Sequence, residues 1–430
     1  MRNRVVLAYS GGLDTSVSIR WIQEKYDMDV ITLTIDLGQG RELEEIKHKA
    51  VTIGAIKAIV YDAKEMFVNH YVFPALQGGA IYEGEYPLAT ALGRPLIAGL
   101  LVDIARDEGA AAVAHGCTGK GNDQVRIDVA VKILAPRLQV IAPVREWRMT
   151  RDEEIKYAMA NDIPIPVTQA KPYSVDQNLW GRSIEAGVLE DPAVEPPEDV
   201  YEWTVAPDRA PAAPQYVDIR FESGIPVALD GAEMEGVELI ERLNQIAGQH
   251  GVGRIDHVEN RLVGIKSREI YEAPAATVLH KAHQALEDLT LSKQQARFKT
   301  TVSREYADLI YNGLWFTSLH QDLRAFIASN QMHVTGTIRM KLWKGNCFVV
   351  GRTSPKSLYS FALATYDSGD QFDHNASVGF ITVHGLAAQT QAQAQLIGPA
   401  AAAKELPVVV PPRVDRDALE VESADEGDDA

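Results

Sequence analysis

Cysteine is nearly absent: Cys117 and Cys347 are the only two in 430 residues, and they lie far apart. Neither a disulfide framework nor a CxxC metal or redox pair can be built from them, which fits a reducing compartment. Long apolar runs are also missing, so no segment approaches the roughly 20 residues that a membrane-spanning helix needs. The opening MRNRVVLAYSGG passes from two arginines through five strand-like residues to glycines, too short an apolar stretch for a secretory signal. Positive charge is scarce as well. Against 59 Asp and Glu stand 42 Lys and Arg, and the formal net charge of −17 repels phosphate backbones, which argues against a nucleic-acid partner. Part of that excess sits in the closing VDRDALEVESADEGDDA, a run of eight acids with one Arg that reads as a solvated end. No repeat of fixed period is found. These absences point to a cytoplasmic chain with no membrane segment, and 46% hydrophobic with 23% charged residues is ordinary globular composition.

At 430 residues the length suggests two or three domains, on a prior of roughly 150 residues each. Over 1–165, β-branched runs (VVLAY, DVITLTID, KAIVYD, AAVAHG, LQVIAPV) alternate with amphipathic stretches such as PLIAGLLVDIARDEG and QVRIDVAVKILA. That order implies an α/β domain with a parallel sheet covered by helices. A capping box is expected at Thr150 and Glu153, opening a helix that ends before IPIP, whose two prolines form a connection into a second domain. From 166 to 365 the strand-like YVDIRFESGIPVAL, HVTGTIRMKLW and NCFVVGR sit beside the helix-like EGVELIERLNQIAGQHG, an α+β pattern. Beyond it, 366–398 reads as an arm in which HGLAAQTQAQAQL is a candidate helix, and 399–430 as a disordered acidic tail.

The strongest chemical signal is SGGLDTS, Ser10 to Ser16, directly after a buried-looking strand and before an amphipathic helix. Gly11 and Gly12 permit positive φ and close backbone approach, so successive amides and the helix N-terminus can surround a pyrophosphate, with hydroxyls from Ser10, Thr15 and Ser16. The GxxxxGK[ST] spacing and its lysine are missing, and so is GxGxxG. A loop that grips the β and γ phosphates as one leaving unit suits attack at the α-phosphate and release of pyrophosphate. Asp14, the loop's one carboxylate, is a candidate to place Mg²⁺; as a plain first-turn acid it would only complement the helix dipole.

A second polar loop, HGCTGKGNDQVR from His115 to Arg126, again follows a strand and precedes a helix. Two such loops at strand C-termini share one crevice in an open α/β sheet. Thr118, Asn122, Asp123 and Arg126 supply donors, acceptors and a fixed cation, a variety that suits amino-acid zwitterions better than phosphate alone.

SGGLDTS resembles the pyrophosphate loop of the ATP-pyrophosphatase superfamily. Together, AYSGGLDTS and GxTxKGNDxxR resemble the paired signatures of the argininosuccinate synthase family. EYPLATALGRPLIA, IPIPVT, PYSVDQNLWGRSIEAG, HGVGRIDHVENRLVGIKSREIYEAPA and SPKSLYS follow in the family's order, so that the likeness runs from about residue 4 to 365. The resemblance implies an ATP-pyrophosphatase-type domain, a synthetase domain and a C-terminal oligomerisation arm in a homotetramer. It implies an ATP-dependent, AMP-forming ligase of arginine biosynthesis that joins citrulline to aspartate through citrullyl-AMP, with ATP as co-substrate and Mg²⁺ as cofactor. Carried over position by position, Ala8, Tyr9, Ser10, Gly11, Gly12, Leu13, Asp14, Thr15, Ser16 and Gly116 bind ATP. Thr118, Asn122 and Asp123 bind aspartate, with Asn122 touching both amino acids, while Tyr86, Arg126, Ser174, Ser183, Glu259 and Tyr271 hold citrulline. Asp14 and Asp123 are the expected catalytic pair. Some family members carry Ser where this chain has Ala91, and Thr90 beside it supplies a hydroxyl instead; Ile127 stands where Phe is common.

Two other classes compete with this reading. A glutamine-dependent adenylating enzyme of the same fold needs a catalytic cysteine, and neither Cys117 nor Cys347 lies in such a context, while a tRNA-thiolating enzyme calls for sulfur-carrying cysteines and a basic surface. A non-catalytic nucleotide sensor would have no reason to keep Asp14, Thr118, Asn122, Asp123, Arg126 and Glu259 together.

Overall fold

The structure is a computed structural model, and it describes residues 2–40, 43–164 and 173–396. Two compact units result, Met1–Tyr359 and the chain from Ser360 onward.

The first unit begins with β1 (Arg4–Ala8), α1 (Leu13–Tyr26), β2 (Asp29–Asp36), α2 (Leu43–Ile53) and β3 (Lys57–Asp62). A helical stretch follows as α3 (Lys64–Phe67), a π turn (Val68–Val72) and α4 (Phe73–Gly78), and then the long α5 (Ala89–Asp107). After these come β4 (Ala112–Ala114), α6 (Asn122–Leu134), β5 (Gln139–Ile141), α7 (Pro143–Trp147) and α8 (Arg151–Ala160). The five strands form one sheet in the order β3-β2-β1-β4-β5, and every pairing is parallel. Strands covered on both faces bury nearly every side chain, which is why VVL in β1 and VITLTI in β2 are apolar or β-branched, with Thr32 and Thr34 buried among them. The chain leaves β1 toward β2 on one side and reaches β4 on the other, so the strand order reverses between β1 and β4 and opens a crevice above their C-terminal ends.

The expected capping box is present: the Thr150 side chain accepts from the Glu153 amide, and Glu153 returns to the Thr150 amide. The helix it starts ends at Ala160, ahead of the prolines. The rest of that connection, with the boundary at 165/166, falls among 165–172 and lies outside the described residues.

The remainder of the first unit is α+β, as its mixed periodicity implies. Its elements are β6 (Ser174–Asn178), β7 (Gly181–Glu185), β8 (Gln215–Glu222), β9 (Ile225–Leu229), β10 (Ala232–Glu233), α9 (Gly236–Gln249), β11 (Arg254–Asn260) and β12 (Lys266–Glu272). Three helices, α10 (Pro274–Thr290), α11 (Lys293–Tyr311) and α12 (Ser318–Gln331), precede the closing hairpin of β13 (Gly336–Trp343) and β14 (Asn346–Thr353). Two antiparallel sheets result, ordered β10-β9-β8-β13-β14 and β11-β12-β7-β6.

In the second unit, α13 (Phe361–Ala364) and α14 (His374–Gln391) are described. The helix expected from His384 starts ten residues earlier, because Asp373 accepts the amides of Asn375 and Ala376 and caps it there. The acidic tail at 399–430 lies outside the described residues. No helix among the described residues is long and apolar enough to cross a membrane.

Candidate functional site

Ala8 ends β1, and the loop from Tyr9 to Gly12 turns into α1, which begins at Leu13. Tyr9 is anchored beneath the loop: its amide donates to Leu33, its carbonyl accepts from Thr34, and its hydroxyl meets Ser16 at 3.1 Å. Gly11 sits at φ +75°, and a Cβ there would come 3.0 Å from Ile46. Gly12 is the N-cap of α1 and carries no side chain to cap it, so no side chain takes up the first-turn amides. The hydroxyls of Ser10 and Thr15 stand 3.2 Å apart beside them. Lys49 of α2, which sequence reasoning missed, donates to the Gly11 carbonyl at 2.8 Å, and partial burial lowers its pKa.

The second loop descends from β4 against the first. A Cβ on Gly116 would lie 2.8 Å from Cγ2 of Thr15, so only glycine allows the two loops this approach. His115 fixes the root of the loop, with Nδ1 accepting the Cys117 amide at 3.2 Å and Nε2 bonded to Asp128 at 2.8 Å. Both loops line one cleft of about 430 Å³ with Arg94, Thr118, Asp123, Ile127, Ser174 and Asp176 among its walls. Asp14 is not in that lining. Its Oδ1 accepts from Arg151 Nη1 of α8 at 2.9 Å, and the same nitrogen stands 3.4 Å from Glu154. Glu154 is buried, with Oε1 lacking a hydrogen-bond partner; burial and the charge of Asp14 push its pKa up to about 7.

From α6 Asp123 lines the cleft, with Asn122 and Arg126 buried beside it, and the spacing puts these last two on one helix face. Asp123 is held from two sides: Arg94 Nη2 reaches Oδ2 at 2.8 Å and Arg126 Nη1 reaches Oδ1 at 2.9 Å. Burial pushes its carboxyl pKa up, but the two guanidinium groups outweigh that and hold it well below the ordinary value. Arg94 also pairs with Asp176 of β6, another residue of the cleft wall. Neither Arg94 nor Asp176 was expected at the site. An arginine inside the apolar ATALGRPLIAGL was the available signal, since a charge on an otherwise buried helix calls for a partner.

Behind this row lies a buried cluster. Glu259 is 3% exposed, accepting at Oε2 from the Tyr271 hydroxyl (2.7 Å) and at Oε1 from the Tyr311 hydroxyl (2.6 Å), while the Asn122 amide donates to the Tyr311 oxygen (2.8 Å). Tyr86 stacks on Tyr271 with centroids 4.3 Å apart. Tyr86 has a structural duty too. Its oxygen accepts the Thr90 amide at 2.9 Å at the start of α5 and meets the Thr90 hydroxyl at 2.6 Å, which replaces a conventional cap where Leu88 is forced to φ +66°. Burial pushes the Tyr86 pKa up to about 12.

The structure therefore gathers Tyr86, Thr90, Asn122, Asp123, Arg126, Glu259 and Tyr271 and sets Thr118 and Ser174 on the adjoining cleft. Ser183 is one step removed: it faces Tyr271 across the β7–β12 pairing, and its hydroxyl donates to Glu269 at 3.4 Å. No group of three or more His, Cys, Asp or Glu side chains able to cage a metal is present among the described residues.

Residues 4–164 match the family model of the arginosuccinate synthase N-terminal HUP domain, and residues 173–391 that of the arginosuccinate synthase C-terminal domain. An argininosuccinate synthase of Dehalococcoides mccartyi is 58% identical over 397 residues, covering 92% of this chain and 98% of the relative. That of Oceanobacillus iheyensis is 57% identical over 398 residues, with 93% and 95% covered. A solved structure of a predicted subunit of tRNA methyltransferase from Methanocaldococcus jannaschii aligns with a TM-score of 0.27 at 18% identity, over 36% of this chain and 76% of that one. With two matched domain models in sequence and relatives alike over nine-tenths of its length, the chain belongs to the argininosuccinate synthase family.

Proposed function

We propose that this chain condenses citrulline with aspartate at the expense of ATP, through citrullyl-AMP, releasing pyrophosphate and AMP. The observation that carries the reading is the convergence of two loops at the β1–β4 reversal: uncapped helix amides suited to a pyrophosphate stand directly beside a row of Asp123, Arg126 and Arg94 suited to amino-acid head groups. Residues Ala8 to Ser16 with Gly116 hold ATP. Thr118, Asn122 and Asp123 orient aspartate. Tyr86, Thr90, Arg126, Ser174, Ser183, Glu259 and Tyr271 form the citrulline side, where Arg126 meets the carboxylate and Glu259 the ammonium.

In the first step the ureido oxygen attacks the α-phosphorus and the bond to the β-phosphate oxygen breaks, while the amides of the first loop take up the charge of the departing pyrophosphate. In the second, the uncharged aspartate amine attacks the activated ureido carbon, the bond from that carbon to the AMP oxygen breaks, and the new C–N linkage releases a proton as AMP leaves. The ureido oxygen is already nucleophilic, so positioning and charge neutralisation supply most of the acceleration. Mg²⁺ fits this site, because it binds through one or two carboxylates together with substrate phosphates and needs no protein cage. Asp14 is half-exposed at the loop, and Glu154 has a buried, unpartnered oxygen close by. Asp14 would hold the ion, which would neutralise pyrophosphate charge.

On this reading 1–165 is the nucleotide-binding domain, 166–365 the synthetase domain and 366–398 the oligomerisation arm of a cytoplasmic homotetramer. The arm assignment is supported by α14, which exposes Val378, Phe380, Ile381, Val383 and Leu386. Pyrophosphate release measured with ATP and citrulline, with and without aspartate, tests the reaction: exchange of labelled pyrophosphate into ATP should need citrulline but not aspartate. Light scattering on the purified chain tests the assembly.

A further inference from the structure

Tyr311, the last residue of α11, is 1% exposed, and every polar atom of its side chain is engaged. The hydroxyl donates to Glu259 Oε1 and accepts from Asn122 Nδ2. The ring lies flat on Tyr82, with centroids 3.5 Å apart and planes at 6°, and the Arg126 guanidinium sits 4.7 Å from its centre. Its carbonyl takes Arg126 Nε at 2.8 Å. Around it are the two halves of a zwitterion receptor. Glu259 is a buried carboxylate held only by neutral donors, with no cation paired to it among the described residues, and Arg126 Nη2 is buried without a hydrogen-bond partner. A buried charge without an opposite partner and a buried donor without an acceptor are both costly, so an α-ammonium at Glu259 and a carboxylate at Arg126 Nη2, the nitrogen that Asp123 does not take up, would each relieve a cost already built into the fold.

The Tyr311 hydroxyl occupies the anionic half of that receptor. We propose that Tyr311 is an internal competitor of the amino-acid substrate: its phenol satisfies Glu259 and Asn122 and gives way to the substrate's α-ammonium, thereby setting citrulline affinity. The inference rests on the assignment of Glu259 and Arg126 to citrulline made above. A ligand without an ammonium gains nothing at Glu259 to offset displacement of the phenol, so Tyr311 also favours zwitterions.

The test is Tyr311→Phe, which keeps the ring and its stack and deletes the hydroxyl. Citrulline KM should fall about two- to tenfold, the worth of one internal hydrogen bond, with the KM values of ATP and aspartate unchanged. Citrulline should also raise the melting temperature of the variant more than that of the parent chain. Tyr82→Leu, which loosens the stack and leaves the hydroxyl contacts, should lower citrulline KM in the same direction by less, and it decides the matter if the phenylalanine variant folds poorly. A raised citrulline KM in either variant would make Tyr311 a substrate ligand and overturn the proposal. So would an unchanged KM, or a melting-temperature loss equal with and without citrulline, which would make the residue purely structural. If the parent chain itself shows neither a citrulline shift nor citrulline-dependent pyrophosphate exchange, the substrate assignment has failed, independently of Tyr311.

Discussion

Thr15, in the first turn of α1, and Gly116, in the loop after β4, pack so closely that a single added methyl group on Gly116 would stand 2.8 Å from the Thr15 methyl. Thr15 has little freedom to retreat. It is β-branched on a helix, and its hydroxyl is held between Ser10 at 3.2 Å and the Gly12 carbonyl at 3.4 Å. Gly116→Ala should therefore push the loops apart. A displacement of about 1 Å at such a site costs on the order of a hundredfold in rate. Thr15→Ser keeps the hydroxyl and removes the offending methyl group, so the double variant should recover most of the ATP response. Steady-state kinetics on both singles and the double form the cycle, and strictly additive losses would show that the contact does not govern ATP binding.

Asp14→Asn should impair citrulline-dependent pyrophosphate exchange severely while citrulline binding, followed by calorimetry, stays near that of the parent. The carboxylate lies in the first turn of α1 and pairs with Arg151 rather than with Asp123, Arg126 or Glu259. Near-normal exchange would restrict Asp14 to its ion pair with Arg151.

Asp123→Asn separates the two chemical steps. One charge-assisted hydrogen bond to a charged ligand is worth about 1.5–3 kcal/mol, so the aspartate response should weaken roughly ten- to hundredfold. Exchange with citrulline alone should persist. The structure supplies the rival outcome: Asp123 clamps both Arg94 and Arg126, and if exchange is lost too, the residue serves citrulline through Arg126.

Much of this arrangement was legible from sequence, because the parallel-sheet region at the start of the chain is built from local signals. A buried strand, a glycine turn and a helix start are contiguous in AYSGGLDTS, and Asn122, Asp123 and Arg126 are placed by helical spacing alone. What stayed hidden is what tertiary contact decides. Tyr311 lies 52 residues from Glu259, in a helix whose pattern says only that the residue is buried. Lys49 reads as a surface lysine until α2 folds over Gly11. The cap that Tyr86 gives α5 follows no short-range capping pattern, since a phenol does the work of a serine.

Glu269 should give the fold a pH dependence. It is buried beside Ser183, and Arg261 bridges it to Glu185. Burial and the charge of Glu185 push its pKa up, from 4.5 to about 8, against the pull of Arg261. The folded chain thus binds this proton more tightly than the unfolded chain. Below about pH 4.5 both states carry it, and the protonated group leaves the native state unpenalised. As pH rises toward 8 the unfolded state has already released its proton while the native state keeps it, so stability falls, by up to ~1.4 kcal/mol per pH unit. Above 8 the loss is complete and this contribution becomes flat. Glu269→Gln keeps the shape and removes the titration, so urea midpoints measured from pH 5 to 9 should decline less steeply for the variant than for the parent. Parallel curves for the two proteins would mean that Arg261 keeps Glu269 ionised throughout.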